Sequence, residues 1–152
     1  MKHIVLVSVF LLSLNAAHAQ FVAKVMMEQE VPGLCSQKDV YTLLPGFKGQ
    51  VEPEHPLTKE GIVQKLNSAL KFLKEHPKHR DTGIIGLYIN CEGRMVKSEM
   101  DRKTSSSDLD AQLLTFFNTL SAWKPGTLNG QAVDTYKMFT VHIRKGRLTL
   151  SP

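Results

Sequence analysis

The chain is 152 residues long and 42% hydrophobic, with 19 Lys and Arg against 14 Asp and Glu for a formal net charge of +5 at pH 7. That length excludes a large multidomain assembly and fits one ordinary domain of roughly 100 to 150 residues with a core of its own. The cations are scattered between acidic residues and form no block, a solvated surface that argues against nucleic acid as a partner.

Lys2 and His3 precede an unbroken apolar run from Ile4 to Leu14, and Ala17-His18-Ala19 then supplies small residues. This is the pattern of a secretory signal peptide over residues 1–19, cut after Ala19. The alternative, an uncleaved anchor, is disfavoured because a spanning helix needs about 20 apolar residues. No Cys follows the run to take a lipid. A mature chain with no membrane span, in the periplasm, is expected.

Residues 20–57 are punctuated by Pro32-Gly33, Pro45-Gly46, Gly49, Pro53 and Pro56, with only short apolar pieces such as Val40 to Leu44 between them. They predict an irregular lead-in arm. Thr58 is a plausible N-cap for a first helix with Ile62, Leu66, Ala69, Leu70 and Leu73 on one face, ending before Pro77. Ile84 to Asn90 and Met95 to Arg102 predict a hairpin turning at Glu92-Gly93. Ser107 or Asp108 is placed to cap a second helix whose stripe is Leu109, Leu113, Phe116 and Leu120, reaching Trp123 and stopping at Pro125. A final strand follows the Asn129-Gly130 turn, with Phe139, Val141 and Ile143 alternating with Met138, Thr140, His142 and Arg144.

The predicted order is helix, strand, strand, helix, strand. It implies an α+β domain over residues 58–152, with two helices on one face of a small antiparallel three-stranded sheet and the irregular arm before it. Cys35 and Cys91 form an even pair, which can close a disulfide in an oxidising compartment or remain as two buried thiols. A bridge of that loop length contributes roughly 4 kcal/mol by chain entropy.

Several stretches resemble the carboxy-terminal domain of TonB-type energy transducers. The family's strand V-x-F-x-V-x-x-x-G-x-V is similar to residues Gly86 to Val96, with Gly93 in the glycine position. Its L-D-x-x-A helix start resembles Leu109-Asp110-Ala111, and its W-K-P-x-x-x-x-G-x-x-V signature resembles Trp123-Lys124-Pro125 with Gly130 and Val133. Upstream, Val40-Tyr41 and Pro45-Gly46-Phe47-Lys48-Gly49 look like the family's lead-in. The signature has a physical reading as a corner: Trp123 closes the helix stripe as a large core anchor, Pro125 forbids further helix, and Gly130 permits the turn into the last strand. The usual Y-P-x-x-A is at best echoed by His76-Pro77. Typical transducers carry an uncleaved membrane helix and a proline-rich spacer, which this sequence lacks, so it is not expected to transmit force by itself.

No G-x-S-x-G, H-E-x-x-H or G-x-x-x-x-G-K-S/T motif occurs. No enzyme activity, metal or cofactor is expected. A small envelope enzyme using His76, His79 or a cysteine is the rival reading, but a Lys-rich helix end already favours such cationic side chains. Binding is the leading expectation. An edge strand offers unpaired backbone groups to an extended peptide, and Val133, Thr135, Lys137, Phe139, Val141, Ile143 and Lys145 lie on the candidate edge. The resemblance implies the same mode, with segments of outer-membrane transporters as the ligand. Alternatively the edge is covered by residues 20 to 56, leaving a structural domain, or by a second copy in an edge-paired homodimer instead of a monomer. Lys137, Arg144 and Lys145 serve equally as edge-protecting charges.

Overall fold

A computed structural model of the chain describes residues 21–152, so the expected signal segment lies outside the described residues. In chain order the strands and helices are β1 Ala23–Lys24, β2 Val40–Thr42, β3 Gln50–Val51, α1 Lys59–Ala69, α2 Lys71–Glu75, β4 Asp81–Ile89, β5 Met95–Arg102, α3 Ser107–Phe117, β6 Thr127–Leu128, β7 Gln131–Ala132, β8 Asp134–Arg144 and β9 Arg147–Ser151. No described helix is long and apolar enough to cross a membrane.

The small three-stranded sheet with two helices is overturned. A six-stranded sheet forms instead, in the order β1-β2-β8-β4-β5 with β9 also paired to β8, beside a three-stranded sheet β3-β6-β7 and three helices. The arm is without regular structure over most of its length, but it supplies the short strands β1, β2 and β3 to the two sheets. Its apolar pieces are too short to show a period, yet Val31 and Val40 are buried against Tyr88 and Tyr136. The C-terminal hairpin was missed for a similar reason. Lys145 (φ 52) and Gly146 (φ 66) form a two-residue left-handed turn, the geometry that matches strand twist. It returns Leu148 and Leu150 to the core.

Local signals explain the helices. Thr58 Oγ1 accepts from Gly61 N at 3.2 Å and opens α1. Ser106, one residue before Ser107 and two before Asp108, accepts from Leu109 N at 3.3 Å and opens α3 in place of either expected cap. The first helix breaks at Leu70, whose backbone is extended. The amide of Phe72 beyond the break is taken by the Gln112 side chain at 3.1 Å, so the interruption leaves no unmet donor there.

Two apolar clusters sit on opposite faces of the large sheet. The main one joins Leu66 of α1 and Leu113 and Phe117 of α3 to Ile85, Leu87 and Val141 of the strands. The smaller one is capped by the arm, and a bridge between Cys35 and Cys91, Cα atoms 6.1 Å apart, fastens that arm to the turn after β4. Asp134, buried at the start of β8, accepts from the neighbouring amides of Ser36 at 2.6 Å and Cys91 at 2.8 Å. A buried carboxylate is tolerated when amides saturate it in this way.

Within the smaller cluster the rings of Tyr88 and Tyr136 lie 4.6 Å apart, and Gly86 is bare where a Cβ would collide with the Tyr136 ring. Tyr136 donates its hydroxyl to Asp101, and Tyr88 donates to Glu99 at 3.1 Å. Burial first, then the adjacent carboxylates, push the Tyr88 phenol up to about 12 and that of Tyr136 higher still. A phenol whose pKa is raised by folding stabilises the protein below the unfolded value near ~10, and that stability is lost as pH climbs through the folded value. Stability should therefore fall between about pH 10 and 12, with the tyrosinate absorbance of Tyr88 and Tyr136 appearing late and together with unfolding. Ionisation of both phenols near ~10 in the folded chain would contradict this.

Candidate functional site

The expected binding strand, β8, is not an edge. One side is paired with β4 from Thr135 to Ile143. The other is paired with β2 at Asp134 and Thr135, in parallel, and with β9 from Thr140 to Arg144. Only Tyr136 to Phe139 have no strand on that second side among the described residues.

The seven candidate residues consequently separate. Val133, half-buried, donates its amide to Gly126 O at 3.0 Å just before the strand. Thr135 is fully buried and donates its hydroxyl to Ile89 O at 3.3 Å. Val141 and Ile143 face the main core, while Lys145 is exposed in the hairpin turn. Lys137 and Phe139 remain, side by side, at the four-residue gap.

That gap opens on a groove of about 350 Å³ between β8 and the segment from Glu52 to Thr58. Trp123, Phe139 and Ile62 provide its apolar lining, and Met138 stands beside it, 41% exposed. Polar groups frame this lining. Lys137 Nζ is 3.1 Å from Glu52 Oε1 and sits over the Phe139 ring at 5.5 Å. His55 meets Trp123 edge-on, with ring centres 5.0 Å apart. Its Nδ1 accepts from Leu57 N at 3.0 Å while its Nε2 lies 3.0 Å from Ser121 O, so the neutral ring carries its proton on Nε2. Pro152 also lines the groove.

The corner residues build this lining by a different route from the one expected. α3 ends at Phe117, so Trp123 does not extend its stripe. The chain instead turns through Ala122 at φ 64. Trp123 is then held by its neighbours: its amide donates to Gly93 O at 3.1 Å and its indole Nε1 donates to Leu120 O at 3.1 Å. Gly93 (φ 79) lies so close to the Trp123 carbonyl that no Cβ fits. Pro125 packs beside it, and Gly130 (φ 81) turns between β6 and β7.

The histidine alternative gains no metal geometry. His76 stacks on Phe72 at 4.2 Å and its Nδ1 contacts Phe72 O at 2.9 Å. His79 meets the same ring edge-on, and its Nε2 lies 3.3 Å from Asp81 Oδ2 without the alignment of a hydrogen bond. Burial pushes the Asp81 carboxyl up, but the Ser105 hydroxyl and the Ser105 and Thr82 amides, together with His79, outweigh it and hold the carboxyl below its ordinary range. Among the described residues, the one His, Cys, Asp or Glu group close enough to hold a metal is Cys35, Cys91 and Asp134. Its two sulfurs are already joined to each other.

In the sequence Glu52 and His55 fall within the irregular lead-in arm. The antiparallel bridge of Glu54 with Lys124 and the contacts of His55 with Ser121 and Trp123 bring that segment against the corner, and no local pattern announces them. Comparison of the chain with protein-family models, with curated proteins and with solved structures finds no match.

Proposed function

We propose that this chain is a non-catalytic protein- or peptide-binding module of the cell envelope, acting in the periplasm by strand addition as the TonB-type domains it resembles do. The observation that carries this reading is the gap at Tyr136 to Phe139: unpaired sheet edge directly beside an apolar lining of Trp123, Ile62 and Phe139. Main-chain pairing at such a gap supplies affinity, and the groove selects an apolar side chain of the incoming segment. The ligand is a short extended peptide, of the class presented by outer-membrane transporters. Lys137 and Glu52 give the rim charges of both signs.

The test is amide NMR with extended peptides from the periplasmic ends of such transporters. Shifts centred on Lys137, Met138 and Phe139 are expected, with none on Val141 to Ile143. The coverage by β2 and β9 favours a second reading, a structural domain whose edge is sealed by its own chain. Absence of shifts, with the amides of Tyr136 to Phe139 already protected from exchange, would establish that reading in place of the first.

A further inference from the structure

The cations that look scattered along the sequence are gathered by the fold. Residues 74–81 carry Lys74, Lys78 and Arg80 against Glu75 and Asp81, and residues 142–147 carry Arg144, Lys145 and Arg147 with no acid. Those two segments thus hold six cations and two acids, a surplus of four within the whole chain's +5. They touch: Gly146 N donates to His79 O at 3.2 Å, and a Cβ on Gly146 would lie 2.8 Å from Pro77 Cα. Glycine at this one turn position is what lets the β8–β9 hairpin sit against the loop after α2.

All six cations are exposed. Lys74 donates to Ser68 O at 2.6 Å, and none of the six has an acid within ion-pair distance among the described residues. Arg144 and Arg147 stand directly opposite each other across β8 and β9, an arrangement of like charges that disfavours the hairpin. Asp81 offers little relief, because its carboxylate is engaged by Ser105 and Thr82. Beside the arginine pair lies a shallow hollow of about 490 Å³ lined by His142, Arg144, Arg147 and Thr149. Large apolar side chains are exposed elsewhere, at Phe21, Met26, Phe47, Val51 and Met138, and not at this pole.

We infer that this pole docks on an anionic phospholipid surface, with Arg144 and Arg147 taking a headgroup phosphate and Lys74, Lys78, Arg80 and Lys145 lying over its neighbours. Guanidinium pairs suit phosphate oxygens. The cations spread beyond any one cleft: Lys74 and Arg147 border a hollow of about 790 Å³, Arg144 and Arg147 the smaller one, and Lys78, Arg80 and Lys145 line neither, a spread that suits an extended plane of phosphates better than one acidic peptide. With no apolar wedge the association is electrostatic and peripheral, and salt weakens it. It is independent of the peptide groove, whose lining shares none of these residues.

The experiment is co-sedimentation of the full chain with phosphatidylcholine vesicles, with and without phosphatidylglycerol, at low and physiological salt. Any contribution of the apolar residues 4–14 is common to both vesicle types and to every variant, so the readout is the ratio of the two affinities. We expect phosphatidylglycerol to tighten binding in a salt-sensitive way. Arg144→Glu/Arg147→Glu should weaken that increment about 100-fold, and Arg144→Gln/Arg147→Gln should weaken it by less. Lys38→Glu/Lys48→Glu changes net charge equally on exposed residues of the arm and should leave most of the increment in place. A ratio near unity, equal losses in the tip and arm variants, or tighter binding to a glutamate-rich peptide than to the vesicles would each overturn the inference.

Discussion

Replacing Cys35 and Cys91 together by serine lowers the unfolding free energy by about 4 kcal/mol, the loop-closure value for a bridge of this span. The separation of the two cysteines is 56 residues, long enough for the unfolded chain to gain considerable freedom when the bridge is cut. Against a typical total of about 5 to 15 kcal/mol, that loss is a large fraction of the fold's stability. The damage should also be local. The arm holds Val31 and Val40 on the Tyr88–Tyr136 face, but the strands of its first half are only the two- and three-residue β1 and β2. Denaturant melts of oxidised, reduced and double-serine chains measure the first effect, and hydrogen exchange of residues 21–42 measures the second. A double-serine chain that melts with the oxidised one, with arm amides still protected, would show that β2 and the apolar cluster hold the arm unaided.

Trp123→Ala is expected to cost about 3 to 5 kcal/mol, the range for truncating a large buried aromatic. The side chain is 5% exposed and belongs to the main core, and its removal also strips the Leu120 carbonyl of the indole N–H. Trp123→Phe separates packing from function. It retains most of the buried surface and leaves one carbonyl short of a donor, so about 1 kcal/mol is the expected penalty. The groove lining changes shape in both variants. Thermal and urea unfolding would give the stabilities, while peptide-induced shifts at Lys137 to Phe139 would report the groove. Should Trp123→Phe fold normally and bind the peptide unchanged, the indole is a structural anchor with no part in recognition.

How far such features are legible in a sequence depends on what kind of information they carry. Thr58, the Leu109–Leu113 spacing and the alternation from Phe139 to Ile143 each reveal a local preference, and each falls within the expected kind of element. Alternation reports which face of a strand is buried. It is silent about which backbone side is occupied, since hydrogen-bonding sides are perpendicular to side-chain faces. The status of β8 was therefore invisible: its partners Val40 and Leu148 are brought to it only by the folded chain. The same limit applies to charge. Lys78 and Arg147 are remote in sequence, and a linear scan sees each among ordinary neighbours. Trp123 lies in the main core, though not on the stripe of α3, and the left-handed Ala122 that swings it there has no sequence cue, because alanine seldom adopts that conformation. The groove combines a piece of arm, a corner and a gap between strands, and none of these is a local property.

The parallel pairing of β2 with β8 also constrains the order in which the molecule can assemble. Val40 and Tyr41 find their backbone partners at Asp134 and Thr135, so an early segment of the chain must wait for a late one. The β4–β5 hairpin and the helices can form from neighbouring residues. β8 then inserts as the central member, and only afterwards can β2 and β1 close one flank. Pairings between such distant residues fold slowly, since loop closure precedes any reward from contact. Until then the arm's apolar residues lack Tyr136, one of the two rings that cover them, and a chain interrupted before Asp134 lacks the carboxylate that receives the amides of Ser36 and Cys91. The last strands therefore act as the latch for the first.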